Sequence, residues 1–140
     1  TAERKHGDFV RSLIDQGLVS AVHDVSDGGI LVAVTEMALA GNIGATLQAP
    51  LFEDQVDSEK WQHAWSLFAE NQARYVVTEP WNTDHVEMLA KEAGVGCCYI
   101  GWTGGEGIAV ADHDETLYGE VSLSALREAS ESFFRDWMES

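Results

Sequence analysis

Apolar residues recur every three or four positions in five stretches of the chain, and this spacing predicts amphipathic helices. The predicted helices are residues 3–16, 29–40, 58–69, 82–93 and 123–138. The second is the most apolar, and it places Ile30, Val34 and Met37 on one face, which we expect to be buried. Gly17 should end the first helix and Gly41-Asn42 the second, because glycine and asparagine adopt the left-handed conformation that closes helices.

Runs of β-branched, aromatic and other apolar residues lie between these helices and predict strands. They are residues 18–23, 43–48, 74–78, 96–103, 107–111 and 118–121. Gly104-Gly105-Glu106 separates two of these runs and predicts a hairpin. Helices and strands alternate first and the hairpin follows, an order typical of an α+β fold in which helices cover a mixed β-sheet. We expect that sheet to include residues 19–23, 43–48 and 75–78.

Length and composition favour one globular domain spanning residues 1–140. The chain has 140 residues, of which 45% are hydrophobic and 23% charged, and a chain of this length can bury a core. No apolar run approaches the roughly 20 residues of a membrane helix, and no apolar segment of a signal peptide follows Thr1. Because the sequence starts without a methionine, we expect it to be cut from a longer chain.

Charge and cysteine content narrow the possible partners and compartments. The net charge is −16, and no lysine or arginine occurs between Arg11 and Lys60. Nucleic acids and anionic membranes are negatively charged, and binding them needs a basic surface. We therefore predict that this chain binds neither. The two cysteines, Cys97 and Cys98, are adjacent and poorly placed for a disulfide framework, so we predict a cytoplasmic protein. We interpret the pair as small residues of a buried strand.

The most distinctive polar segment is His23-Asp24-Val25-Ser26-Asp27-Gly28-Gly29, between a predicted strand and a predicted helix. A helix N-terminus offers free N–H groups and a positive dipole end, and glycines admit a ligand close to the backbone, so this turn can bind a phosphate or a carboxylate. Asp24 and Asp27 would repel a bare anion, so a phosphate here needs Mg²⁺ or an arginine from elsewhere. In the alternative, structural interpretation, Ser26 or Asp27 caps the helix and Gly28-Gly29 forms a tight corner.

Glu70-Asn71-Gln72 is the second polar cluster, and it leads into the strand predicted after Arg74. Its three side chains can face a ligand at the sheet edge, or they can form a capping and turn segment. The histidines are scattered without the spacing of zinc ligands. The chain also lacks a nucleophile elbow and the Gly-Lys-Ser/Thr of a phosphate-binding loop. We therefore predict neither a catalytic residue nor a metal ligand within this chain.

The segment HDVSDGGILVAVTEMALAGNIGA, residues 23–45, closely resembles the C-terminal domain of the phosphoribosylformylglycinamidine synthase family. This family lies within the superfamily related to aminoimidazole ribonucleotide synthetase. Glu70-Asn71-Gln72 before the strand at Arg74 and the segment 100–103 also match, and the matches keep their order along nearly the whole chain. Thr35 before Glu36 departs from the alanine typical of the family. No glutaminase domain follows the last predicted helix in this sequence. In this respect the sequence resembles the small, separate-subunit form of the family.

This resemblance implies a domain of an ATP-dependent C–N ligase that amidates formylglycinamide ribonucleotide with nitrogen from glutamine, in de novo purine biosynthesis. It implies that ATP and Mg²⁺ bind mainly outside these residues, so the isolated domain is expected to be inactive. The implied partners are the remaining domains of the same chain, a glutaminase and small accessory subunits. The residues implied at a ligand site or an auxiliary nucleotide site are Asp24, Ser26, Asp27, Gly28, Gly29, Glu70, Asn71 and Gln72.

Two other functions stay open from the sequence. The domain can be a non-catalytic scaffold for its neighbours. It can also belong to a relative within the superfamily, such as a protein similar to thiamine monophosphate kinase or selenophosphate synthetase.

Overall fold

A computed structural model describes residues 1–48, 67–70, 73–80, 83–111 and 114–139. The elements, in chain order, are α1 (Ala2–Asp15), β1 (Ala21–Asp24), α2 (Gly29–Gly41), β2 (Ala45–Gln48), β3 (Tyr75–Thr78), α3 (Thr83–Ala93), β4 (Gly101–Thr103), β5 (Gly107–Ala111), β6 (Leu117–Ser122) and α4 (Leu123–Glu139). Most of the helix predicted at 58–69 lies outside the described residues. The chain forms two compact units, one from the described residues of 1–34 and 52–99 and the other from those of 35–51 and 100–140.

The first unit is built on a two-stranded antiparallel sheet. Strand β1 pairs with β3 from Ala21 opposite Thr78 to Asp24 opposite Tyr75. The pairing continues beyond the strands, since the Val25 N–H donates to the Arg74 carbonyl oxygen at 2.9 Å. The buried apolar side chains of this unit are Val10, Leu13, Val25, Ile30, Ala33, Val34, Leu67, Ala69, Val76, Val86 and Ala90. Ile30 and Val34 are thus buried as predicted, and Met37 is half-buried.

Left-handed residues end three of the helices, and the sequence predicted the first two of these ends. At the end of α1, Gly17 has φ +67° and the Leu18 N–H donates back to the Leu13 carbonyl oxygen at 3.0 Å. This is the Schellman arrangement, which satisfies carbonyl groups left open by the last helical turn. Asn42 and Gly94 take the same role after α2 and α3, with φ 51° and 64°.

The second unit contains a mixed four-stranded sheet in the order β4-β2-β5-β6. Strand β2 is antiparallel to β4 and parallel to β5, and β6 is antiparallel to β5. Helix α4 follows β6 directly, and Ser122 Oγ caps it by accepting a hydrogen bond from the Ala125 N–H at 3.2 Å. The buried apolar side chains here are Ala38, Ala45, Leu47, Ile108, Ala109, Ala111 and Leu123. The mixed sheet with its helices confirms the predicted α+β class.

Two predictions about the strands are wrong. Residues 19–23 and 75–78 do not join the sheet that holds 43–48, because β1 and β3 pair only with each other among the described strands. The predicted hairpin between β4 and β5 does not form either, because β2 lies between them. The Gly44 N–H donates to Gly105 O at 2.9 Å, and the Gly104 N–H donates to Gly44 O at 2.7 Å. The glycine turn therefore wraps around the start of β2.

The strand predicted at 96–103 is shorter than expected, since β4 begins only at Gly101. Residues 95–100 form neither helix nor strand, and Cys97 and Cys98 are both exposed. The interpretation of the two cysteines as buried strand residues is therefore wrong. The apolar run predicted a strand, but no ladder partner for residues 96–99 is present within the described chain.

Candidate functional site

The predicted Asp24–Gly29 turn connects β1 to α2, as the sequence indicated. The Gly29 N–H donates to the Ser26 carbonyl oxygen at 3.1 Å, so Asp27 and Gly28 are the central residues of a tight turn. Gly28 has φ +83°, a conformation that costs an L-residue free energy and costs glycine little. Helix α2 then begins at Gly29, within the predicted one or two residues of Gly28.

The structure brings the two predicted polar clusters into direct contact. Glu70 Oε1 accepts a hydrogen bond from the Gly28 N–H at 2.9 Å, although the two residues are 42 positions apart in sequence. The N-terminus of a helix attracts negative charge, because its N–H groups are unpaired and its dipole end is positive. Here the protein supplies that negative charge itself, with the Glu70 carboxylate. One of the N–H groups expected to bind a ligand anion is thus already used.

Gly29 is needed for close packing of two backbone segments. A Cβ added at Gly29 would lie 2.6 Å from the Leu67 carbonyl oxygen and 2.8 Å from the Phe68 Cα. These contacts are with main-chain atoms, which cannot rotate away as a side chain can. A Cβ at Gly28 would collide with the Val32 side chain. The two glycines therefore serve the internal packing of the corner, as the structural interpretation of the turn required.

Neither side chain that was expected to cap α2 does so. Ser26 and Asp27 are exposed, and in the part of the chain that the structure describes their side chains make no hydrogen bond. The alternative in which Ser26 or Asp27 caps the helix is therefore wrong, because Glu70 reaches the helix terminus from another segment. Both side chains are exposed to solvent. The hydroxyl and the carboxylate are free to contact a ligand.

His23 and Asp24 do not form an acid–base pair of the kind used in catalysis. The His23 Nδ1 lies 2.6 Å from the Asp24 carbonyl oxygen, to which it can donate, and 3.7 Å from the Asp24 carboxylate. The ring is therefore bound to the neighbouring backbone. A carboxylate that orients a catalytic histidine must bond to the ring directly.

The segment that carries Glu70 is held at its far end by contacts that sequence inspection missed. Ala73 has φ +63°, an uncommon conformation for a residue with a Cβ, and His6 Nδ1 lies 2.8 Å from the Ala73 carbonyl oxygen. Arg74 Nη1 donates to the Ala69 carbonyl oxygen at 3.4 Å. Asn71 and Gln72 lie outside the described residues. No local pattern points to His6, because α1 and this segment are distant in sequence.

The electrostatics around the two thiols disfavour a nucleophilic cysteine. Although both residues are exposed overall, partial desolvation of their thiols raises the pKa of Cys97 and of Cys98, and the Glu87 carboxylate raises each pKa further. Arg74 opposes this effect at Cys98. Since the thiolate is the reactive form, a raised pKa leaves both groups protonated and weakly nucleophilic at neutral pH.

Within residues 1–48, 67–70, 73–80, 83–111 and 114–139, no group of three or more histidine, cysteine, aspartate or glutamate side chains is arranged to hold a metal ion. Across the same residues, no helix is both long and apolar enough to cross a membrane.

The family model described as "AIR synthase related protein, C-terminal domain" matches residues 1–113. The chain belongs to this family. It is 47% identical over 141 residues to a phosphoribosylformylglycinamidine synthase subunit PurL from Rhodopseudomonas palustris, an alignment that covers 97% of this chain and 17% of that protein. The chain therefore spans a small part of the curated relatives that it matches.

Solved structures of this family share the fold. The chain is similar to the PurL of Thermotoga maritima complexed with FGAR, with a TM-score of 0.72 and 27% identity over 89% of this chain and 20% of that chain. The same PurL complexed with ATP gives a TM-score of 0.70 and 26% identity, over 86% of this chain and 20% of that one. A structure of PurLQS from Thermotoga maritima, at 24% identity and a TM-score of 0.72 over 86% and 21%, supports the fold alone.

Proposed function

We propose that this chain is one domain of a phosphoribosylformylglycinamidine synthase and supports the ATP- and glutamine-dependent amidation of formylglycinamide ribonucleotide in de novo purine biosynthesis. The observation that carries the proposal is the 47% identity to a PurL subunit over 97% of the chain. The Thermotoga maritima PurL complexes with FGAR and with ATP support the same substrates for the parent protein. The reaction class is C–N ligation.

In this proposal residues 1–140 are a single domain of a longer, cytoplasmic protein. Its partners are the other domains of that protein, a glutaminase and small accessory subunits. Ammonia released by the glutaminase would be the nitrogen donor, and this domain would contribute no catalytic side chain.

The candidate ligand residues are Asp24, Ser26, Asp27, Gly28, Gly29, Glu70, Asn71 and Gln72. The described contacts give these residues two different roles. The Gly28 N–H, Gly29 and Glu70 hold the corner together, whereas the Ser26 and Asp27 side chains are exposed to solvent. A hydroxyl and a carboxylate suit ligand hydroxyl groups or a metal-bound phosphate better than a bare phosphate.

ATP and Mg²⁺ do not fit the described residues as a complete site. The corner offers acids in place of the cations that a triphosphate needs, and the described residues contain no group of three metal ligands. We therefore place both mainly on other parts of the parent protein.

A non-catalytic scaffold is the second candidate, and one contact favours it. The Glu70 carboxylate accepts a hydrogen bond from the Gly28 N–H, so part of the candidate ligand site is used to join two segments of the fold. A kinase-like relative within the superfamily is disfavoured by the identity to a synthase subunit over nearly the whole chain.

We expect the isolated chain to bind Mg·ATP only weakly or not at all, because the turn itself carries the acids Asp24 and Asp27 and its helix terminus already holds the Glu70 carboxylate. Isothermal titration of the 140-residue chain with Mg·ATP measures this directly. The parent protein, titrated in the same buffer, is the positive control. Sub-micromolar affinity of the chain alone would contradict the placement of ATP outside it.

The function itself is tested by complementation. The full-length gene, expressed in a purine auxotroph that lacks phosphoribosylformylglycinamidine synthase, should restore growth without added purine. The purified parent protein and its partners should amidate formylglycinamide ribonucleotide only when ATP and a nitrogen donor are present. Growth that still requires purine, with the protein expressed and folded, would refute the synthase proposal in favour of another superfamily activity.

A further inference from the structure

Strand β6 is an open edge of the four-stranded sheet. It lies at one end of the order β4-β2-β5-β6, and among the described strands it pairs with β5 alone. All six of its residues are exposed. The Leu123 N–H donates to the Glu106 carbonyl oxygen at 2.8 Å, and the hydrogen bonds of an antiparallel pair alternate along each strand. The N–H and C=O groups of Glu120 therefore point away from β5, toward the free edge.

One row of side chains across the sheet carries the apolar core to this edge. In this row Ala45 lies opposite Ile108, and Ile108 lies opposite Val121. Ala45 and Ile108 are 7% and 6% exposed, whereas Val121 is 48% exposed. The apolar face of the sheet thus extends to its last strand, where an apolar side chain from a further strand would cover Val121.

The next row ends in a carboxylate on the other face of the sheet. Ala109 lies opposite Glu120, and Glu120 is exposed. Adjacent residues of a strand point to opposite faces, so Glu120 and Val121 lie on different sides of the sheet. The position of the carboxylate agrees with this, because a Cβ added at Gly107 would lie 2.9 Å from Glu120 Oε1.

The surroundings of β6 are acidic. Asp114 and Glu115 precede the strand and are exposed, and no lysine or arginine occurs in the sequence between Lys91 and Arg127. The Arg127 guanidinium is engaged, because it donates to the Leu39 carbonyl oxygen at 3.0 Å. A second copy of the chain, with its net charge of −16, would be repelled from this edge. The charge therefore favours a basic partner.

We propose that β6 is a docking edge for an extended basic segment of a partner protein, which adds to the sheet as a further strand. The segment would alternate apolar and basic residues, because opposite residues of neighbouring strands share a face. Its apolar side chains would cover Val121, and its basic side chains would face Glu120. Strand β6 contains neither lysine nor proline, two residues with which proteins keep an edge strand unpaired. This proposal does not depend on the synthase reaction.

The test is titration of the isotopically labelled chain, at low salt, with a short peptide of alternating lysine and valine, followed by NMR. We expect the amide signals of β6 to shift and hydrogen exchange at the Glu120 N–H to slow, because that group gains an acceptor. A peptide of alternating glutamate and valine should bind about tenfold more weakly or worse, since it meets an edge of like charge.

Two controls distinguish strand addition from general attraction between opposite charges. Methylation of the backbone nitrogens of the lysine–valine peptide keeps its charge and removes its donors, so it should weaken binding by about tenfold. Glu120→Lys should weaken binding of the unmethylated peptide by about threefold or more. Glu3→Lys changes the net charge equally but lies in α1, and it should have a smaller effect. Both glutamates are exposed, so the variants should fold, and circular dichroism checks this.

Four results would overturn the proposal. They are an absence of shifts in β6, equal affinity of the methylated and unmethylated peptides, equal weakening by Glu120→Lys and Glu3→Lys, and self-association of the chain that the lysine–valine peptide does not displace. Analytical ultracentrifugation of the chain with and without peptide measures the last of these.

Discussion

Gly29→Ala is expected to lower the free energy of unfolding by about 2–5 kcal/mol, the largest single-residue effect that we predict for the corner. Two causes add. Gly29 has φ +73°, which an L-residue adopts only at a cost. Its new Cβ would also lie 2.6 Å from the Leu67 carbonyl oxygen and 2.8 Å from the Phe68 Cα, so one of the two backbone segments must move.

Gly17→Ala is the matched control for this prediction. Gly17 has φ +67°, close to that of Gly29, but a Cβ there would meet no atom within 4 Å. The control isolates the backbone strain, which costs about 1–2 kcal/mol. Guanidinium unfolding followed by circular dichroism measures both variants. Equal losses in the two variants would show that the close approach of Gly29 to residues 67–68 contributes nothing to stability.

The parts of the fold that depend on neighbours in sequence were predictable. The ends of α1 and α2 follow from Gly17 and Asn42, because helix-closing conformations are set by the local residue and its hydrogen bonds. The arrangement of the strands was not predictable in the same way. The glycine turn at 104–106 suits a hairpin, yet β2 lies between β4 and β5 because pairing over long sequence distances decides the sheet order.

The candidate site shows the same division. The sequence identified the Asp24–Gly29 turn and the Glu70–Gln72 cluster separately, since each has a distinct local composition. It did not predict that Glu70 bonds to the Gly28 N–H, because no local signal links residues 42 positions apart. Local reasoning instead assigned the cap to Ser26 or Asp27, the residue types that favour that position. The structure gives the role to a residue that reaches the same N–H from elsewhere.

Glu70→Ala should therefore destabilise the chain by about 1 kcal/mol, because it removes a charged acceptor from the N-terminus of α2. Glu70→Gln, which keeps an acceptor oxygen and removes the charge, should lose less. Asp27→Ala is the control, since in the described part of the chain its carboxylate makes no hydrogen bond, and it should change stability by less than about 0.5 kcal/mol. Melting and denaturant curves of the three variants test this order. Greater destabilisation by Asp27→Ala than by Glu70→Ala would contradict the assignment of the cap.

The same variants, placed in the full-length protein, separate a ligand role of the corner from a scaffold role. A side chain that only supports the fold should lower the melting temperature and leave the KM for ribonucleotide and the turnover unchanged. A side chain that contacts a ligand should change KM or kcat at nearly unchanged melting temperature. We expect Glu70→Gln to follow the first pattern and Asp27→Ala the second, because Glu70 is bonded within the fold and Asp27 is open to solvent. If Asp27→Ala leaves KM, kcat and melting temperature unchanged, the turn binds no ligand and the corner is a purely structural joint.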